Sequence, residues 1–199
     1  LVVSWDYDTT NSSPTGGGWV YDKLAHGVVM TISNLVSGDT PTFTVYTTGT
    51  VPAYGNSAFV PTSSGSVTYE DSVTFTAINA QSEDYIASLI GVSDSNYSIP
   101  ESGLSQEWFI EKREVGIEWK MNGTDVFSST YDKEEQIITA VPTGLMTGDN
   151  AVISLIDDIY INAGSYTASA QSINNSNYKL PIDVTKNWTI SQRDITAVI

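Results

Sequence analysis

The sequence predicts an all-β chain made of two tandem β-sandwiches, the first enlarged by an insertion. Three observations predict it: apolar residues recur with a period of two, turn-forming residues punctuate the chain at short intervals, and one set of landmarks occurs twice along 199 residues.

The alternation is plainest where Val115, Ile117, Trp119 and Met121 interleave with Gly116, Glu118 and Lys120, and where Val73, Phe75 and Ala77 interleave with Ser72, Thr74 and Thr76. Successive side chains of an extended strand point to opposite faces, so each run buries one face. Further β-branched and aromatic runs, 42–48 and 187–190, are bounded by Gly, Asn, Asp and Ser clusters. The best helical candidate, 132–140, soon becomes β-branched and then meets Pro142, so it is not read as a helix.

The repeat sets the domain organisation. Tyr21-Asp22-Lys23 recurs as Tyr131-Asp132-Lys133, and at the same offset Leu35 with Gly38-Asp39 recurs as Leu145 with Gly148-Asp149. Ile78-Asn79-Ala80, Tyr85, Ala87-Ser88 and Ser95-Asn96-Tyr97 return as Ile161-Asn162-Ala163, Tyr166, Ala168-Ser169 and Ser176-Asn177-Tyr178. Trp108 and Ile110 match Trp188 and Ile190, with Arg113 and Arg193 at equivalent junctions. Repeat 1 is therefore placed at 1–113 and repeat 2 at 114–199, with almost no linker and a stiff join. The chain begins without Met and stops inside an apolar alternation, so it reads as a piece of something longer, with 195–199 as the first strand of a further repeat.

Asp39 to Ile78 spans 39 residues where Asp149 to Ile161 spans 12, so repeat 1 carries about 27 more, placed around 46–72. This stretch is rich in Ser, Thr, Gly and Pro, and an insertion into one copy of a duplicated scaffold is a natural place for individual function.

Composition narrows the function classes. With 23 acidic residues against 8 basic ones and a formal net charge of −15, the chain repels phosphate backbones and anionic lipid, so neither nucleic acid nor a membrane surface is an expected partner. No run of about 20 apolar residues is present to insert into a bilayer. The absence of cysteine excludes disulfides, thiolate nucleophiles and Cys-ligated metals.

The landmarks Tyr131-Asp132-Lys133, Leu145-Met-Thr-Gly-Asp149, Asn162-Ala-Gly-Ser-Tyr-Thr-Ala168, Asn177-Tyr-Lys-Leu-Pro181 and Asn187-Trp-Thr-Ile190 resemble the bacterial immunoglobulin-like repeats of the YDG and MBG kind. The resemblance covers essentially all of repeat 2 and most of repeat 1. It implies immunoglobulin-like sandwiches in an extracellular, wall- or envelope-attached array, with stalk or adhesive roles and no shared catalytic residues. Lys23 and Lys133 stand where the family's turn has glycine, so a positive-φ turn is not expected there. In repeat 1 the Ala-Gly-Ser-Tyr segment is Ala80-Gln-Ser-Glu-Asp-Tyr85, so the local hairpin is expected to differ.

Catalytic chemistry has little to stand on. The single His26 falls at the position of Gln136 and reads as a surface or half-buried structural residue, with no nucleophile elbow nearby. Glu134-Glu135 and Asp157-Asp158 are neighbours, and on a strand neighbours face apart, so neither forms a facing acid pair for glycoside cleavage. Asp157-Asp158 also lacks the acidic ladder of a Ca²⁺ loop. No catalytic residue, metal or cofactor is expected.

Trp5 with Trp119, and Trp108 with Trp188, read as core packing. Trp19 follows Gly16-Gly17-Gly18 and has no tryptophan counterpart. Trp19, Tyr46, Tyr54, Phe59 and Tyr69 are the ligand-binding candidates, as a platform for sugar rings or a hot spot for a protein; the competing reading is an extra hairpin with its own aromatic cluster. The expected function is that of a non-catalytic stalk module on a bacterial cell surface, contacting adjacent repeats and, through repeat 1, a host protein or glycan. The alternative is a carbohydrate-binding module on a secreted glycan-degrading enzyme.

Overall fold

The structure, a computed structural model, describes residues 1–49, 65–68 and 72–196. These residues are all-β and sandwich-type, with no helix among them. The chain divides into two compact units, Leu1–Lys112 and Arg113–Ile199.

The first unit holds β1 (Val2–Tyr7), β2 (Gly18–Val20), β3 (His26–Ser33), β4 (Thr42–Thr47), β5 (Gly65–Thr68), β6 (Ser72–Ala77), β7 (Tyr85–Val92) and β8 (Ser105–Glu111). One sheet has the order β1-β3-β6 and the other β2-β8-β7-β4-β5. Inward positions follow the alternation: Val28, Met30 and Ile32 from β3, Phe43 and Val45 from β4, Val73 and Phe75 from β6, and Ala87 and Leu89 from β7 are buried. Outward positions between them are Thr, Ser or partly exposed residues.

The second unit holds β9 (Arg113–Glu114), β10 (Gly116–Met121), β11 (Ser128–Thr130), β12 (Gln136–Thr143), β13 (Ile153–Ile156), β14 (Ile159–Tyr160), β15 (Gly164–Ile173), β16 (Tyr178–Lys179) and β17 (Thr185–Ser191). Its sheets run β10-β12-β14 and β11-β17-β15-β13, with β9 and β16 as a short parallel pair. Among the described residues its two larger sheets follow the strand order of the first unit, which adds β5, while the β9–β16 pair has no equivalent sheet there. Even the irregularities repeat: β4 against β7 slips register between Thr44 and Val45, and β13 against β15 between the equivalent Ser154 and Leu155.

Sequence landmarks become matched local structures. Trp108 pairs with Tyr85 and Trp188 with Tyr166 across antiparallel strands, and both tryptophans are buried. Each tyrosine hydroxyl donates to a backbone carbonyl upstream, Tyr85 to Asn79 at 2.8 Å and Tyr166 to Asn162 at 2.7 Å, a tyrosine corner in both units. The corner survives the altered Ala80–Tyr85 segment. Trp5 lies opposite Met30 and Trp119 opposite Ala140, both partly buried.

A second matched device ties the turn after β3 and after β12. In Val36-Ser-Gly-Asp39 and Met146-Thr-Gly-Asp149 the Asp N–H donates to the carbonyl three residues back, with Gly38 at φ 98° and Gly148 at φ 84°. The Tyr178 hydroxyl accepts from the Met146 N–H (2.9 Å) and donates to the Asp149 carboxylate (2.7 Å). Tyr97 does the same with Val36 (3.0 Å) and Asp39 (2.5 Å).

The Tyr-Asp-Lys turns correct the expectation from sequence. Lys23 has φ 71° and Lys133 φ 75°, so both lysines adopt the left-handed conformation in which glycine is at ease. The preceding aspartate explains how. The Asp22 Oδ1 accepts the Leu24 N–H at 2.9 Å and the Asp132 Oδ1 accepts the Glu134 N–H at 3.0 Å, a side-chain turn that holds the backbone around the strained residue. Of the expected strand at 195–199, Ile195 and Thr196 pair with no other strand, and 197–199 lie outside the described residues.

Lys133→Gly should therefore raise the stability of the second unit by about 1 kcal/mol, read by urea unfolding, because the left-handed conformation costs a side chain about that much. Burial, and then the bond to Asp149, hold the Tyr178 hydroxyl above its ordinary 10.0. The neutral phenol is thus favoured by folding. Its contribution is complete below pH 10.0 and is lost as pH rises through the higher folded value. Unfolding followed between pH 9 and 12 should show a decline that Tyr178→Phe reduces, with the variant itself costing about 1 kcal/mol at neutral pH.

Candidate functional site

Of the five aromatic candidates, Tyr54, Phe59 and Tyr69 lie outside the described residues. Tyr46 and Trp19 are described, and the structure does not bring them together. Tyr46 belongs to β4, where Phe43, Val45 and Thr47 turn inward, so its side chain lies on the outer face. Trp19 sits on β2, opposite the buried Ile110, and turns inward. Three strand spacings, about 14 Å, separate β2 from β4 in their sheet, and the two rings are on opposite faces.

Trp19 is only 6% exposed and is not an open platform. Its indole stacks on the imidazole of His26 (centroids 4.9 Å apart, 18° between planes), meets Tyr7 edge-on at 5.9 Å, and donates through Nε1 to the Ser12 carbonyl at 3.0 Å. His26 is more deeply placed than its sequence reading allows, at 1% exposure, with Nε2 2.9 Å from the Asp22 Oδ1. Gln136 takes the same place in the second unit, its Nε2 donating to Asp132 at 3.2 Å. The role is structural and interchangeable between an imidazole and an amide.

What the segment around Trp19 does build is a groove of about 450 Å³ on the outside of the β2–β8 edge. The turn before β2 is closed by reciprocal bonds between Thr15 and Gly18, with Gly16 at φ 61° and Gly17 at φ 90°. Gly18 must lack a side chain, since a Cβ there would fall 2.1 Å from the Phe109 ring. That close approach lets Phe109 lie over the strand and wall the groove beside Val20, which is 47% exposed. Ser12, Ser13 and Thr15 offer hydroxyls, and Asp22 and Glu111 offer carboxylates that accept hydroxyl donors.

The aromatic wall of this groove has no counterpart among the equivalent paired residues of the second unit. In the second unit the same parallel pairing sets Ser128, Ser129 and Thr130 against Thr189, Ile190 and Ser191, where the first unit sets Gly18, Trp19 and Val20 against Phe109, Ile110 and Glu111. Sequence reasoning overlooked Phe109 and Glu111. Their signal was present: alternation around the buried Trp108 and Ile110 puts them on the opposite, outer face.

The acidic pairs Glu134-Glu135 and Asp157-Asp158 belong to the second unit. Asp157, at φ 54°, accepts the Tyr160 hydroxyl at 3.1 Å, and this bond raises the Tyr160 pKa. Among the described residues no group of three or more His, Cys, Asp or Glu gathers as a metal site would require. No protein-family model matches this chain, and no curated protein matches it.

Trp19→Ala should act on stability, lowering that of the first unit by about 3–5 kcal/mol in chemical unfolding, as removal of a buried tryptophan does. Phe109→Ala, on the outer face, should cost about 1 kcal/mol and leave the fold intact while removing the groove wall.

Proposed function

We propose that the chain is a non-catalytic repeat module of a bacterial surface protein, of the YDG or MBG immunoglobulin-like kind, which holds a distal binding domain away from the cell. The observation that carries this reading is the duplication of one architecture down to its register slips, its tyrosine corners and its Tyr–Asp turn ties. Three strands packed against a sheet that ends on a short parallel strand, with a tyrosine corner, support the immunoglobulin-like assignment. An extracellular site is what the resemblance implies, and the net charge of −15 disfavours anionic partners. Units of this kind are stalk material because long antiparallel ladders share tensile load across many hydrogen bonds.

Stretching the whole chain between its ends in an optical trap tests the stalk. Two separate unfolding steps in a single trace are expected. A single step, or gradual extension without a step, contradicts independent load-bearing repeats.

A second reading, a carbohydrate-binding module beside a glycan-degrading enzyme, is favoured by the groove that Phe109 walls. Hydroxyl-bearing sugars suit its mixture of aromatic face, serine hydroxyls and carboxylates. A glycan array probed with the wild type and with Phe109→Ala separates the two: saturable binding lost in the variant makes the first unit a glycan receptor. Turnover of chromogenic glycosides or esters that persists through purification would defeat the non-catalytic reading.

A further inference from the structure

The two units differ in what lies beside one strand. On β4 the Thr42 carbonyl accepts from Ser93 N–H at 2.9 Å and the Thr48 N–H donates to Ile86 at 3.0 Å, so even-numbered residues turn their backbone groups toward β7. Phe43 and Val45 turn theirs to the other edge. There β5 pairs antiparallel, from Thr42 opposite Thr68 to Val45 opposite Gly65.

On β13 the Val152 carbonyl accepts from the Asn174 N–H at 3.1 Å, and the Val152 N–H donates to the Asn174 Oδ1 at 2.8 Å. The register to β15 then repeats that of β4 to β7. Ile153 and Leu155 consequently direct their N–H and C=O groups away from β15, as Phe43 and Val45 do from β7. Among the described residues no strand pairs with that edge. The side chains bordering it on the outer face include Val152, 63% exposed, and Ile156, 48% exposed.

We infer that the outer edge of β13 is a strand-addition site for an extended, uncharged or basic segment of a partner protein. The first unit supplies the template: the segment it adds to the equivalent edge is Gly65-Ser-Val-Thr68, uncharged and antiparallel. Short, bulged edge strands commonly resist such pairing, but the same register slip on β4 does not prevent β5 from adding there. Charge selects the source. Asp157 and Asp158 follow β13 directly and the chain carries −15, so an acidic segment or a second copy of this chain is repelled where a neutral or basic strand is not.

Amide hydrogen exchange on the full chain, resolved by NMR, tests the site with a synthetic peptide containing Gly-Ser-Val-Thr flanked by lysines. In the free chain the Ile153 and Leu155 amides should exchange at least about tenfold faster than those of Phe43 and Val45, and saturating peptide should slow them by about tenfold. Val152→Lys and Ile156→Lys, at exposed positions, should abolish the slowing. The same peptide with prolines replacing Ser and Thr should have no effect. The inference fails if Ile153 and Leu155 are already as protected as Phe43 and Val45, if the peptide leaves them unchanged, or if both lysine variants respond like the wild type. A dimer in sedimentation that protects these amides would make a second copy the occupant and overturn it equally.

Discussion

The interior of each unit is organised around one buried indole on its closing strand. Trp108 and Trp188 are large enough to reach neighbours from both sheets, and each is set beside a tyrosine on the adjacent strand. In the second unit Trp188, Met121, Ile138, Ala168 and Ile190 form one buried cluster, with Tyr160 and Tyr166 stacked 3.9 Å apart against it. A tyrosine in that position has its ring in the core and its hydroxyl at the rim, so its bond to an upstream carbonyl secures the connection between sheets. Alanine two residues further on, fully buried as Ala87 and Ala168, meets the need for a small side chain in the same layer.

Around this shared interior the two units diverge at their borders. The first places Trp19 and Phe109 on inner and outer faces of its β2–β8 edge, where the second has serine and threonine. It also covers the far border of the same sheet with β5, which has no counterpart among the described residues of the second. Backbone ladders and buried layers tolerate little change, whereas a border strand can gain a neighbour or an aromatic face without disturbing them.

Much of this was legible in the chain itself. The alternation around Phe75, Trp119 and Trp108 identifies inward residues because a strand's side-chain period is short and strictly local. Matching Tyr97 with Tyr178 and Asp39 with Asp149 pairs residues that prove to make the same bonds. The candidate binding surface was far less legible. Trp19 lies on a three-residue strand, too short for periodicity to assign its face, and its orientation follows from a parallel pairing with residues some 90 positions away. A tryptophan after three glycines looked exposed, yet stacking on His26 offers its large apolar ring more than water does.

Local sequence, then, determined that this chain forms strands, that it does so twice on one plan, and which residues its longer strands turn inward, since these depend on side-chain alternation and repetition along the chain. Tertiary structure alone decided that Trp19 would be core while Phe109 walls a groove, and that β13 would keep an edge unpaired among the described residues where β4 does not. Each of those outcomes is set by partners distant in sequence, and no window along the chain contains them.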